Sequence, residues 1–181
     1  MSMVHHVSRL LRQGGLRPVS PEASRMREGI RVSTVSPTSS HISVDIDMPG
    51  QRARIADAVR AILTYGPYVY QEKISDPDAY QGCHFFYVDG PARPKDQRTT
   101  PPPPHWDDYL RAAQYKRLYL HQHPGVTITV LRGRNTTIRH ADLTPPQMHD
   151  SGHITVDPDG LCRLTPLGQT ALTYLTLDHH P

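Results

Sequence analysis

Ile154-Thr155-Val156-Asp157-Pro158-Asp159-Gly160-Leu161-Cys162-Arg163-Leu164-Thr165-Pro166-Leu167-Gly168-Gln169 is the stretch on which the fold of the C-terminal half turns. Residues 153–156 and 161–164 are short alternating runs. Between them, Asp157-Pro158-Asp159-Gly160 brings turn residues and a glycine free to take positive φ, so a β-hairpin is expected with Ile154, Val156, Cys162 and Leu164 facing a core. Thr165-Pro166 then opens a helix in which Leu167, Ala171, Tyr174 and Leu175 recur at helical spacing.

Working upstream, Leu143-Thr144-Pro145-Pro146-Gln147 has the layout of a helix start. Thr144 is the expected cap, the prolines stand where no donor is needed, and Gln147 reaches back to close a capping box. That short helix ends at Ser151-Gly152. Before it, residues 126–131 form a β-branched run, and Arg132-Gly133-Arg134-Asn135 leads into an expected helix with Ile138, Ala141 and Leu143 inward. A first helix is expected from Asp107 to about Gln122, with Trp106, Tyr109, Leu110, Ala113 and Leu118 available for burial; His123-Pro124-Gly125 ends it.

Residues 91–104 are rich in proline, lack any apolar recurrence and finish in Pro101-Pro102-Pro103-Pro104, which marks a linker stiffened toward polyproline II. The N-terminal half reads as helix, strand, strand, helix, strand, strand. Val4, Val7, Leu10 and Leu11 recur at helical spacing before Gly14-Gly15. Residues 30–35 and 42–48 are strands around Pro37-Thr38-Ser39-Ser40, the second with Ile42, Val44, Ile46 and Met48 on one face and Ser43, Asp45 and Asp47 on the other. Pro49-Gly50 opens a helix whose Ile55, Ala58, Val59, Ile62 and Leu63 form one stripe, with Arg52, Arg54, Asp57 and Arg60 elsewhere, and Gly66-Pro67 stops it. Residues 68–72 and 83–88 are aromatic and β-branched, as strands require. The expected fold class is therefore α+β: residues 1–90 an α/β sandwich of two layers on an antiparallel sheet, 91–104 a linker, and 105–181 a separate small domain.

The succession helix, short strand, helix, helix, hairpin, helix, closing on the stretch quoted first, resembles the winged helix-turn-helix domain of bacterial and phage regulators. The resemblance covers residues 106–177 and implies that the hairpin is the wing and the third helix enters the major groove of duplex DNA, with Gln147, His149 and Arg163 at the matching positions. Arg132, Arg134, Arg139 and His140 lie one element earlier and suit a phosphate-gripping surface. The third helix itself carries no arginine or lysine, and Asp157 and Asp159 in the wing turn repel phosphates.

Composition limits the partners. The net charge is +3 and the pI near 9.0. Lys73, Lys95 and Lys116 are the lysines and every other basic residue is arginine, which suits phosphate and base edges but also follows from the Arg, Pro, Ala and Gly usage of a GC-rich genome. No apolar run approaches a membrane span, and Met1-Ser2-Met3-Val4-His5-His6 is not laid out as a signal peptide, so a cytoplasmic protein of a GC-rich bacterium, phage or plasmid is expected, with no membrane partner. Cys83 and Cys162 fall in strands and read as reduced buried thiols. His121-Gln122-His123, with His140, His149 and His153 following, is the closest approach to a metal cluster; no Cys-x-x-Cys or His-Glu-x-x-His accompanies it, so neither metal nor cofactor is expected. A phosphate loop, a nucleophile elbow and a dinucleotide fingerprint are missing. Asp45 with Asp47 and Cys83 beside His84 are the remaining catalytic candidates, the latter disfavoured because neighbouring strand residues face opposite ways.

The expected function is thus a DNA-binding accessory or transcriptional regulatory protein and not an enzyme. The alternative is a protein-interaction adaptor that uses its winged helix and the aromatic sheet face supplied by Tyr65, Tyr68, Tyr70, Tyr80, Phe85, Phe86 and Tyr87. A lesser alternative is a metal-dependent enzyme built on the clustered histidines. That aromatic face suits a protein partner, a homodimer or single-stranded nucleic acid, and the absence of basic residues among its aromatic strands favours protein.

Overall fold

Alternation over residues 40–46 has the consequence that period two demands: Ser40, Ile42, Val44 and Ile46 are buried while Ser39, His41, Ser43 and Asp45 line the other face. The structure, a computed structural model, describes residues 2–19, 29–46, 48–74 and 84–177. Asp47, Tyr80 and Cys83 lie outside the described residues. The chain divides into two units, residues 1–100 with 177–181 and residues 101–176, and its class is α+β.

In the first unit β1 (Gly29–Ser36), β2 (Ser39–Asp45), β3 (Val69–Ile74) and β4 (His84–Asp89) form one antiparallel sheet in the order β1-β2-β4-β3. Two helices, α1 (Met3–Gln13) and α2 (Pro49–Thr64), pack on one face of it. Val7 and Leu11 of α1 and Val59 and Leu63 of α2 are fully buried against Ile42, Val44, Phe86 and Val88. The helix stripe is wider than the sequence suggests. Arg52, placed by periodicity on the polar face, is 6% exposed, and its Nε donates to the Ile46 carbonyl at 2.7 Å. Arg60 likewise turns inward, where Nε and Nη2 hold the two Glu72 oxygens at 2.8 and 2.5 Å and Nη1 reaches Asp57. Glu72 is also bonded to Nε2 of His84. A long side chain can lie along apolar surface and still bring its head to an acceptor, which polarity alone does not reveal. Burial opposes ionisation of Glu72, but hydrogen bonds from Arg60 and His84 outweigh it and hold its pKa below the usual value.

The start of the proline-rich segment is tied back to this unit. The Arg93 N–H donates to the Pro67 carbonyl at 2.6 Å, its Nη2 to the Gly66 carbonyl at 3.1 Å, and a 3-10 turn follows at Lys95–Gln97.

The second unit runs through a 3-10 turn at Pro104–Trp106, then α3 (Asp107–Gln114), β5 (Leu118–His123), β6 (Val126–Leu131), β7 (Thr137–His140), α4 (Thr144–Asp150), β8 (Ile154–Val156), β9 (Cys162–Leu164) and α5 (Pro166–Leu175). Leu110, Leu118, Met148, Ile154, Cys162 and Ala171 are its fully or almost fully buried centre. The hairpin forms in the expected register, with Ile154 opposite Leu164 and Gly160 at φ 84. α5 is capped by Thr165, whose Oγ1 accepts from the Gly168 N–H at 3.1 Å. Its buried stripe is Gly168, Ala171 and Leu172, one residue round from the expected one, because glycine at 168 lets the helix press on the His153 carbonyl where a Cβ would collide.

Two expected helices are replaced. The first stops at Gln114 instead of Gln122, because Lys116 takes φ 55 and the N–H groups of Lys116 and Arg117 close on the Ala113 and Ala112 carbonyls at 3.0 and 2.7 Å. This is a Schellman closure with lysine where glycine usually stands. The second, expected over Ile138, Ala141 and Leu143, is the strand β7: Thr136-Thr137-Ile138 favours extended backbone, Ala141 sits at φ 54, and Ile138 and Leu143 are exposed. A helix-turn-helix needs a helix there, and the unit instead carries a three-stranded meander, β5-β6-β7. At α4 the cap also differs, since Asp142 Oδ1 and not Thr144 accepts a terminal N–H, that of Thr144, at 3.0 Å.

No helix among the described residues is long and apolar enough to cross a membrane. The hairpin register makes a direct prediction. Ile154→Ala should lower unfolding stability by about 2–5 kcal/mol, whereas Thr155→Ala, on the exposed side of the same strand, should change it by less than about 0.5 kcal/mol. Denaturant titration of both variants measures the ranking, and the reverse order would shift the strand by one residue.

Candidate nucleic-acid interface

Between Asp108 and Asp142 the chain has no acidic side chain, while Arg111, Lys116, Arg117, Arg132, Arg134 and Arg139 supply positive charge throughout. The meander is made from this stretch. β5 alternates Leu118 and Leu120, which are buried, with Tyr119, His121 and His123, which face outward. Pro124-Gly125, with Gly125 at φ 82, makes the tight connection to β6, and His123 pairs with Val126 across it. β6 then pairs with β7 from Leu131–Thr137 to Ile128–His140.

The two faces of this sheet differ. One is inward: Leu118, Leu120 and the fully buried Thr129 share it with Arg139, whose guanidinium lies 5.4 Å from the Tyr109 ring. Tyr119, Ile128, Val130, Ile138 and His140 share the outer face. Every residue from Arg132 to His140 is exposed, so the β6–β7 connection and β7 form a ribbon edge that meets the core through Arg139 and Tyr109.

Cations gather at one end of the meander. Arg117 and Arg132 are adjacent, joined by the Arg132 N–H to the Arg117 carbonyl at 2.8 Å. The Arg132 guanidinium lies 4.0 Å above the Tyr119 ring and its Nη1 donates to the Tyr119 hydroxyl at 3.2 Å. Arg117 lies 5.6 Å from the centroid of Tyr115, itself exposed. Lys116 and Arg134 flank these two in sequence and are exposed. Among the described residues none of Lys116, Arg117, Arg132 or Arg134 has a carboxylate partner. Stacking on a tyrosine face orients a guanidinium and leaves its N–H fork directed outward, the disposition that suits a phosphate.

The residues singled out from sequence are separated by this arrangement. Arg132 and Arg134 belong to the cationic end, and His140 lies on the outer face. Arg139 is on the inward face, bonded to the Tyr109 hydroxyl and 3.9 Å from Asp142. The Tyr109 hydroxyl also donates to Asp142 at 2.5 Å; burial and then that carboxylate raise its pKa. Gln147 and His149 are exposed on α4, His149 with Nδ1 3.6 Å from Asp150. Arg163 is neutralised on the hairpin by Asp157, 2.6 Å away. Lys116, Arg117, Tyr115 and Tyr119 escaped the sequence reading because they fell inside an expected helix, although the acid-free interval would have disclosed them.

Compared with family models, with characterised proteins and with solved structures, the chain finds no match.

Other chemistry finds little geometry among the described residues. His121 and His123 share one face of β5, but no group of three or more His, Cys, Asp or Glu is placed to hold a metal. His84 is engaged with Glu72, and the Asp47 and Cys83 partners of the remaining candidates lie outside the described residues. Cys162 is fully buried, and burial, then Asp157, pushes its thiol up to about 12. In a Cys83→Ser chain at pH 8 the thiolate fraction of Cys162 should be about one in ten thousand. Iodoacetamide labelling of the native protein should then be far slower than of the denatured protein, and rapid native labelling would contradict this burial.

Proposed function

We propose that this protein is a DNA-binding accessory or regulatory protein that holds duplex DNA through the β6–β7 ribbon and the cationic end of the meander. The observation that carries the reading is the acid-free interval between Asp108 and Asp142, which folds so that Arg117 and Arg132 stack on tyrosines beside Lys116 and Arg134, with no carboxylate among the described residues to neutralise them. In duplex DNA the major groove, about 12 Å wide, admits a two-stranded ribbon as well as a helix, and two strands about 4.8 Å apart with their side chains fit that width. This reading replaces the third helix of the winged arrangement as the principal contact. α4 presents Gln147 with His149 and Asp150, which gives phosphates little to hold. The adaptor alternative is favoured by one observation, the exposure of Ile138 and Leu143 on and beside the same ribbon.

Phosphate contacts are distinguished by their salt dependence. Titrating the full chain with an unrelated fluorescent duplex over a range of salt should give binding that weakens as salt rises, and Arg132→Ala, Arg134→Ala and Arg117→Ala should each flatten the log–log slope by about one unit. Arg139→Ala and Arg163→Ala, whose charges are already engaged by Asp142 and Asp157, should change it much less. A slope untouched by the first three substitutions, or a loss confined to Gln147→Ala, would return the contact to α4. Absence of duplex binding at low salt would leave the adaptor.

A further inference from the structure

The face of the first unit's sheet that α1 and α2 do not cover has an ordered pattern fixed by its register. One row crosses the strands as Arg31, Ser43, Phe85 and Lys73, the next as Ser33, His41, Tyr87 and Gln71. The two central strands, β2 and β4, therefore place three rings in the middle of the sheet. Phe85 and Tyr87 are two apart on β4, about 7 Å along the strand, and His41 stands opposite Tyr87 on β2. The His41 ring lies 5.0 Å from each of them, its plane 24° from that of Phe85 and 33° from that of Tyr87. The rings lean together as one slab. Burial lowers the pKa of His41 below its ordinary value, so its ring is neutral at physiological pH.

We infer that this slab is a stacking platform for single-stranded nucleic acid, a second site in a different unit from the duplex-binding ribbon. Ring faces accept bases of any identity, and a four-stranded sheet with aromatic residues two apart on a central strand offers adjacent seats to neighbouring unstacked bases. The surroundings fit a nucleotide better than a protein core. Hydroxyl and amide groups of Ser33, Ser43 and Gln71 ring the slab, and Arg31 and Lys73 stand on the two edge strands, at either end of the Phe85 row, where a backbone crossing the sheet needs positive charge. Arg31 is paired with Asp45 at 3.6 Å, both partly exposed, and Lys73 at the other end of the row is exposed. The aliphatic residues of this face lie at its margins, Val35 on the edge strand β1 and Val69 on the edge strand β3 opposite Asp89, whereas a protein-docking face places them at the centre. Sequence suggested no basic residues among the aromatic strands; the register brings Arg31 and Lys73 to them from the sheet's edges.

The test uses the full chain carrying Lys116→Ala, Arg117→Ala, Arg132→Ala and Arg134→Ala, so that the cationic end of the meander is removed, and a fluorescein-labelled oligothymidylate of about 12 nucleotides. Binding is expected at low salt. Tyr87→Ala, at a ring 38% exposed, should weaken it about 5- to 100-fold, Tyr87→Phe should restore it, and Lys73→Gln should lower the salt slope by about 0.7. Thermal melts establish that the variants fold, and Tyr87→Ala with Lys73→Gln suffices should Phe85→Ala or His41→Ala fail. No binding of the oligonucleotide, or binding unchanged by Tyr87→Ala, would overturn the inference. So would self-association in sedimentation that Tyr87→Ala dissolves, which assigns the slab to a second copy of the chain. Because the cationic end of the meander is removed throughout, these outcomes are separate from those of the duplex titration.

Discussion

Two backbone hydrogen bonds, from Lys116 to Ala113 and from Arg117 to Ala112, close α3 and turn the following residues into a strand. The second unit depends on that reversal. Had α3 continued, Leu118 and Leu120 would wind around a helix and could not both reach the core from alternate strand positions. β5 would not exist to pair with β6, and the Arg117 carbonyl would not meet the Arg132 N–H. The cationic end of the meander is a product of the same closure, since it brings Arg117 to the Tyr115 ring and to the start of β5, with Tyr119 two residues into the strand. Lysine in the left-handed position carries a steric cost that glycine would avoid, and no glycine signals the stop.

That missing signal explains why the two halves differed in legibility. In the first unit, glycine and proline stand at nearly every boundary, the β2 alternation is unbroken, and α2 is long enough for its period to be counted; its six elements are all readable. In the second unit the hairpin, α4 and α5 were readable for the same reason, each bounded by Gly152, Gly160 or a proline. β5 and β7 were not. Leu118 suits either a helix or a strand when its neighbours are few, and Ile138, Ala141 and Leu143 imitate a helical stripe only while pairing with β6 is left out of account. Of the candidate site, Arg132 and Arg134 were legible as charges, but which face of which element they occupy was set by nonlocal pairing. Arg139 shows the point: two residues from Thr137 on a strand, it turns to Tyr109 and Asp142, a destination absent from its local sequence.

Polar residues inside the first unit follow a similar logic. Arg52 and Arg60 look solvent-facing by type, yet one satisfies the Ile46 carbonyl beyond the end of β2 and the other ties α2 to Glu72 on β3 and, through it, to His84 on β4. Glu72 would be costly to bury alone; shared between a guanidinium and an imidazole it remains ionised and fixes how the helix sits over the sheet. The helix layer thus locks one face of the sheet by charge as well as by apolar contact, and the opposite face is left for the ring slab.

The hairpin turn is fastened to the meander. The Leu120 N–H donates to the Gly160 carbonyl at 2.8 Å, Tyr119 bridges to Leu161, and a Cβ at residue 160 would strike the His121 ring and the Leu120 carbonyl. In mechanical terms the hairpin is a strut pinned at both ends, by Thr165 and α5 at its base and by β5 at its tip. A load applied to β5 is therefore passed along the hairpin to its base instead of swinging the turn.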